Sequence, residues 1–374
     1  MENIMENNIK IKRYLDVYID TETCNFKCHY CYIFLQNKFG KQLFHLKHSP
    51  QEIRKALSKE RLGGTCVINL CAGGETLLSP DVLPVVKELI DEGHYVMIVT
   101  NGSVTKRFEE VRDTFTPEEC AHVFFKFSFH YLELLRLNIM DKYFANVKMM
   151  HEKGCSFTIE LTPNDELLDK IDDIKKCCLD NIGALPHLTI ARDDRTGGIN
   201  HLSEKLDWEA YKKTWGVFDS ALFNFKKQIF YVKRKEFCYA GDYSMYINLT
   251  TGDWKPCNCG LKCGNIYTDK NLNFKAIGRC QLPHCYNGHF WLAFGNIPNK
   301  ELSKTINVLT FAEERDRIMT NGEHWLKPSF QSVFNTNASQ TNEEYSNVKK
   351  TACIFTNFVR RIPYKVYHLI KRKK

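Results

Sequence analysis

The sequence predicts an α/β protein, a partial (β/α)6, TIM-like barrel with a small Cys-rich C-terminal extension. Three observations lead there. Short β-branched or aromatic runs alternate with amphipathic helical stretches from Tyr14 to about residue 220, the rhythm of βα units around a parallel sheet. Six such runs can be counted, fewer than the eight strands of a full barrel. From Phe237 to Pro298 the helical pattern gives way to Cys, Gly and Asn with only short strand-like pieces.

In chain order the expected strands are Tyr14–Asp20, Thr65–Cys71, Tyr95–Thr100, His122–Ser128, Ser156–Leu161 and His187–Ala191. Helices are expected near 50–60, 80–92, 104–113, 133–153, 166–178 and 207–217. Ser49-Pro50 and Ser79-Pro80 open two of them in the manner of a cap followed by a first-turn proline. These elements define a core barrel over 14–225 and a Cys-rich domain over 230–298, in which Tyr243–Leu249 reads as a short strand. Residues 299–348 read as a helix near 301–319 followed by a polar linker, Phe334–Asn347, and 349–374 as a basic tail. No internal repeat is visible.

With 43% hydrophobic and 26% charged side chains in 374 residues, the chain has the composition of a folded globular protein. No uncharged apolar run nears the roughly 20 residues of a membrane span, and the opening MENIMENNIK lacks the apolar centre of a signal peptide. A cytoplasmic protein is therefore expected. The net charge of +8 is local: residues 349–374 carry nine Lys or Arg and no acid, so the totals of 52 and 44 leave 43 basic and 44 acidic groups for the rest. A neutral body gives no reason to expect nucleic acid as a partner.

Sixteen cysteines are many for a compartment that keeps thiols reduced, so clustered ones point to metal or redox ligands. Seven are scattered in apolar or helical surroundings and read as small core residues: Cys66, Cys71, Cys120, Cys155, Cys177, Cys178 and Cys353. The others form two groups. In CNFKCHYCY, Cys24, Cys28 and Cys31 follow the first strand, at the strand end where barrels place their chemistry. Three thiolates on a four-iron cube leave one iron open to a ligand. The alternative is a structural zinc site completed by His29, His45 or His48. After the second strand comes Gly73-Gly74-Glu75, whose glycines permit close backbone approach to a polar ligand, or else make an ordinary turn.

The cysteine spacing, with Tyr30 before the last cysteine, together with Gly73-Gly74-Glu75, resembles the radical S-adenosylmethionine (SAM) superfamily. The resemblance implies that Cys24, Cys28 and Cys31 hold a 4Fe-4S cluster and that SAM chelates its open iron. It further implies that Gly73, Gly74 and Glu75 lie against the SAM amino group and that Ser128, at the fourth strand end, meets its ribose. Asn101, after the third strand, is a further candidate for the cofactor. Glu160, Thr162 and Arg192 lie at later strand ends, and the two charged ones read better as salt-bridged barrel residues. No residue stands out as an acid, base or second radical site.

The second group begins at Cys238, followed by Ala240-Gly241, a short strand, a Thr-Gly-Asp turn at 251–253 and Cys257. With Gly264-Asn265-Ile266, Cys280 and Cys285 it resembles the SPASM domain or its shortened twitch form, which implies one auxiliary 4Fe-4S cluster on Cys238, Cys257, Cys280 and Cys285. Cys259 and Cys263 are additional, and a zinc-ribbon site is the alternative. In the tail, Ile354, Phe355, Phe358, Val359, Ile362, Val366, Leu369 and Ile370 recur at three- and four-residue steps among basic residues. That pattern suits either a helix lying on an anionic membrane, such as the inner surface of the cell membrane, or one docked on the barrel, and Pro363 predicts a kink.

The resemblance covers about residues 14–290 and implies reductive cleavage of SAM and hydrogen abstraction from a substrate. Proteins of this layout most often modify peptides or proteins, and a small flavodoxin- or ferredoxin-type protein is the expected reductant. Only about a dozen residues precede the first strand, so no fused N-terminal peptide-binding domain is expected. The tail suggests a second substrate class, a cell-envelope carbohydrate or lipid-linked precursor. A redox carrier or sensor is the non-enzymatic alternative, against which Gly73-Gly74-Glu75 argues, since a carrier needs no aminoacyl pocket.

Overall fold

The computed structural model describes residues 9–371 except 41, 196–197 and 259. Cys259 and the last three residues of the tail therefore lie outside the described residues, as do the side chains of Val366, Leu369 and Ile370. Eleven strands are formed: β1 Arg13–Ile19, β2 Cys66–Ala72, β3 Tyr95–Thr100, β4 Val123–Ser128, β5 Ser156–Leu161, β6 His187–Leu188, β7 Arg192–Asp193, β8 Asn200–His201, β9 Ser244–Asn248, β10 Asp253–Lys255 and β11 Gly264–Asn265. Nine of them make one sheet in the order β11-β10-β9-β1-β2-β3-β4-β5-β6, and β7 pairs with β8 as a separate hairpin. From β9 through β1 to β6 the pairing is parallel, with helices between successive strands, which is the partial barrel the sequence predicts.

Strand alternation sorts the side chains. One set, including Leu15, Val17, Ile68, Leu70, Ile98, Phe125 and Phe157, packs with the apolar faces of the helices Val82–Asp91, Thr105–Thr114 and Met140–Glu152. The other set faces the lumen and changes character along the strands. At their N-terminal ends stand Tyr14, Val67, Tyr95 and Phe124, joined by Phe290, Phe294, Phe311, Phe330 and Phe334 from the C-terminal third of the chain. Tyr14 stacks on Phe294 with ring centroids 3.5 Å apart, and Phe124 meets Phe334 edge-on at 5.0 Å. This aromatic plug closes the bottom of the barrel. Above it the inward positions become polar, with Asp16, Asn69 and Lys126 at mid-strand.

Several expectations require correction. The sixth strand is only His187–Leu188, because beyond Leu188 the chain leaves β5. The helix expected near 301–319 is two short ones, Asn299–Leu302 and Phe311–Arg315. The stretch Phe334–Asn347 is no loose linker. It follows the helix Pro328–Asn335, contains the helix Ala338–Thr341, and buries Phe334, Asn337 and Ala338. Its polar side chains serve the main chain: Asn337 Nδ2 donates to the Ala293 carbonyl at 3.3 Å, and Asn342 Nδ2 to that of Lys12 at 3.1 Å. The strand near 243–249 belongs to the barrel sheet, with Asp16 opposite Tyr246. Finally, the terminal helix Asn347–Lys371 is continuous through Pro363, so that proline does not divide the tail into two short helices.

If the C-terminal segment is the barrel floor, Phe334→Ala leaves a cavity against four aromatic rings. Chemical denaturation should then show a loss of about 3–5 kcal/mol, whereas a loss near zero would mean the segment packs loosely.

Candidate functional site

The three N-terminal cysteines sit in the loop that leaves the top of β1. That loop is tied to its neighbours at several points. The Lys27 amide donates to Glu133 Oε2 at 2.7 Å, Tyr30 Oη and His130 Nδ1 are 2.6 Å apart, and Asn101 Nδ2 donates to Asn25 Oδ1 at 2.9 Å. Gly73 and Gly74 press on the first part of the same loop. The Gly74 amide donates to the Thr21 carbonyl at 2.7 Å and that of Glu75 to the Thr23 carbonyl at 3.0 Å. A Cβ on Gly73 would strike the Thr21 carbonyl and the Tyr18 hydroxyl, and one on Gly74 the Thr23 carbonyl. The close approach that glycine permits here is to the chain's own cysteine loop.

Glu75 is a staple between strands. Its Oε1 accepts from the Thr100 hydroxyl at 2.6 Å and the Leu77 amide at 2.9 Å, and its Oε2 from the Asn101 amide at 2.6 Å. Burial raises the carboxyl pKa, and these three donors pull part of the rise back. Glu75 thus shapes the site through the β2 and β3 turns it joins.

A cleft of about 90 Å³ results. Cys24, Cys28 and Cys31 line one part of it and Gly73, Gly74 and Glu75 another, with Asn101 and Ser128 at the ends of β3 and β4. All eight residues expected at the first centre therefore meet in one place. Burial pushes all three thiols upward, so as ordinary thiols they stay protonated, and a soft metal centre is the partner that would favour their thiolates. None of the histidines considered for zinc lines the cleft. His29 lies 3.0 Å from Glu166, His45 3.2 Å from Asp81, and His48 stacks on Tyr267.

Below the cleft, and sharing Cys31, Val99 and His130 with it, the lumen forms a cavity of about 320 Å³. Its walls carry Asp16, Lys126, Arg192, Lys226, His289 and Arg315. Glu160, expected to be salt-bridged, meets Lys126 Nζ and Arg315 Nε at 2.9 Å each; burial would raise its carboxyl, but the two cations outweigh that and hold it at about 2. Arg192 pairs loosely with Asp194 at 3.5 Å and donates to Asn287 Oδ1 at 2.6 Å. Burial pushes the Asp16 carboxyl up to about 6, although Asn69 donates to it at 2.8 Å. Cys71, read as a core residue, also faces this cavity. Most of the lumen's charges escaped the sequence reading. A charge at an inward position of an otherwise apolar strand, as in RYLDVYI and VFFKFS, was the available signal.

Cys238, Cys257, Cys280 and Cys285 line a third, small cavity of about 30 Å³, whose other walls include Ile277, Leu282, Trp291 and Ile297. Cys263 is not among its walls; its thiol lies 3.5 Å from the Leu261 carbonyl. Asn287 lines both this cavity and the lumen, accepting from Arg192 on one side and donating to Asn258 Oδ1 at 3.1 Å on the other.

Residues 18–178 match the sequence pattern of the Radical SAM superfamily. A Methanocaldococcus jannaschii protein, whose name assigns it provisionally to the activation of a glycyl-radical enzyme, is 38% identical over 86 residues. These are 23% of this chain and 31% of the relative, so the match spans about a third of that protein. Among solved structures, SuiB of Streptococcus suis bound to S-adenosylmethionine superposes with a TM-score of 0.49 at 16% identity, covering 71% of this chain and 66% of that one. The enzyme anSMEcpe with bound AdoMet and the Cp18Cys peptide gives a TM-score of 0.48 at 13% identity over 95% and 99% of the two chains. The match to the Radical SAM superfamily thus falls on residues 18–178, which contain strands β2 to β5 of the partial (β/α)6 barrel.

Proposed function

We propose that the protein is a radical SAM enzyme in which Cys24, Cys28 and Cys31 hold a 4Fe-4S cluster and SAM occupies the rest of the same cleft. The observation that carries this reading is the convergence of those thiols with Gly73, Gly74, Glu75, Asn101 and Ser128 on one cleft. The donor set fits: three soft thiols face it, with the glycine backbone of the β2 turn opposite. When bound, the cluster and SAM supply an electron and a 5′-deoxyadenosyl radical able to take a hydrogen atom from an unactivated carbon. The chain's own part is positional. Glu75 fixes the Asn101 turn, the glycines keep the β2 turn against the cysteine loop, and Ser128 and Asn101 offer polar side chains at the cleft wall.

Cys238, Cys257, Cys280 and Cys285 would hold one auxiliary 4Fe-4S cluster in a SPASM- or twitch-like extension, a reading supported by their sharing one largely apolar cavity. Peptide or protein modification is the substrate class we favour, with a small flavodoxin- or ferredoxin-type protein as reductant. The lumen has the volume of a small-molecule or side-chain site and adjoins the cleft directly.

One observation favours a membrane-borne precursor as a second reading. The terminal helix docks through Cys353, buried at 1% exposure, and through Asn357, which donates to the Ala276 carbonyl at 3.0 Å. Phe355, Phe358, Val359 and Ile362 form a different stripe, at 67%, 59%, 44% and 43% exposure. No helix among the described residues is long and apolar enough to cross a membrane. An apolar stripe in a tail whose sequence carries nine Lys or Arg suits the surface of an anionic bilayer, and such a contact would bring a lipid-linked substrate to the barrel.

The enzyme reading is tested by anaerobic reconstitution with iron, sulfide, SAM and a strong reductant. We expect 5′-deoxyadenosine from the wild type and none from Cys24→Ala/Cys28→Ala/Cys31→Ala; its absence from the wild type, or equal amounts from both, contradicts the reading. Flotation with anionic liposomes tests the tail. The full chain should float at low salt and Phe355→Glu/Phe358→Glu should not, and equal behaviour of the two would remove the membrane contact.

A further inference from the structure

Four cations line the lumen, and the carboxylates around them are committed elsewhere than to Lys226: Asp194 pairs with Arg192 at 3.5 Å, and Asp16 accepts from Asn69 at 2.8 Å. Both oxygens of Glu160 are engaged, one by Lys126 and the other by Arg315, so a single carboxylate serves two cations. Arg315 also lies 3.2 Å from Glu314, but burial pushes the Glu314 carboxyl well up, toward its neutral form. Lys226 is the third cation. It projects from the helix Ala221–Ile229 among Leu222, Phe223 and Phe225, is 2% exposed, and donates to the Thr189 hydroxyl at 2.5 Å. Among the described residues no carboxylate pairs with it, and burial together with Arg192 and Lys126 pushes its ammonium pKa well down.

A second side chain in the same wall is also unsatisfied. His289 is 9% exposed, and its Nδ1 is buried with no hydrogen-bond partner. An uncompensated buried cation is costly, and the cost is relieved either by losing the proton or by gaining an anion. The wall of a cavity of this size, one that adjoins the cysteine cleft, leaves room for the anion.

We propose that the lumen binds a ligand bearing an oxyanion, a carboxylate or a phosphate, held by Lys226 and Arg315 with Arg192 closing on it from the β7 side. As a substrate site it rests on the function proposed above, while as an anion site it stands alone. The two oxyanions differ in source: an acidic residue or chain end of a peptide supplies a carboxylate, and a nucleotide- or lipid-linked precursor supplies a phosphate.

Calorimetric titration of the reconstituted full chain, at constant ionic strength set with chloride, separates these cases. The probes are inorganic pyrophosphate and a short Glu-containing peptide, with its Gln counterpart as control. Saturable binding of one probe is expected, weakened about tenfold or more by Lys226→Met and largely kept by Lys226→Arg. Pyrophosphate binding assigns a phosphate ligand; binding of the Glu peptide over the Gln peptide assigns a carboxylate. Should Lys226→Met fail to fold, Arg192→Gln, nearer the surface, must weaken the same binding. No saturable binding of either probe, or equal affinity in the charge-removing variant that folds, overturns the proposal. Formation of 5′-deoxyadenosine by the wild type is scored separately, so an anion site without SAM cleavage would defeat the enzyme reading and leave this one standing.

Discussion

The parallel register of β1 to β5 is the constraint on which the rest of the molecule depends. Asp16 stands opposite Asn69, and Asn69 opposite Met97; Val99 faces Lys126, and Ser128 faces Glu160. Because strand side chains alternate with period two, a slip of one residue in any strand would exchange its lumen set for its helix-facing set. Lys126 would then enter the helix layer and Phe125 or Phe127 the lumen. The same register brings the ends of β1, β2, β3 and β4 to one level, where the cysteine loop, the glycine turn, Asn101 and Ser128 meet.

Glu75 holds that level in place. A carboxylate buried at 3% exposure would be a liability without partners, yet each oxygen here is taken by donors from its own turn or from the end of β3. The two glycines complete the arrangement from the other side, since any larger residue would displace Thr21 and Thr23 and with them the loop carrying Cys24. The rigidity of the cleft is thus built from backbone contacts and one stapled acid, while the thiols keep their faces toward the cavity.

Much of this was legible in the sequence, and the reasons are local. The first five strands are continuous β-branched or aromatic runs, and their boundaries fall within a residue of expectation, because strands covered on their outer face must be apolar there. Six of the eight residues that line the cleft carry signals of local spacing, the cysteine triplet and Gly73-Gly74-Glu75, whereas Asn101 and Ser128 are marked only by their places at strand ends. What escaped was non-local. Lys126, Lys226 and Arg315 come from three separate elements, so no window of sequence shows that they share a cavity, or that Lys126 and Arg315 are the partners of Glu160. Phe334 stands in a polar stretch and reads as linker, but the polar residues around it bond to main-chain groups of other elements and bring it under the barrel. Cys263, additional to the four cysteines that the resemblance selects, lies outside the walls of the third cavity.

In the function proposed above, the two cysteine sets serve two distinct centres, and only the N-terminal one meets SAM. Electron paramagnetic resonance of the reconstituted, chemically reduced full chain addresses it directly. Two cluster signals are expected, one of them altered by SAM; that one should vanish in Cys24→Ala/Cys28→Ala/Cys31→Ala while the other persists. A SAM-sensitive signal that survives this triple substitution, or that is lost instead with Cys238→Ala/Cys257→Ala, would contradict the account.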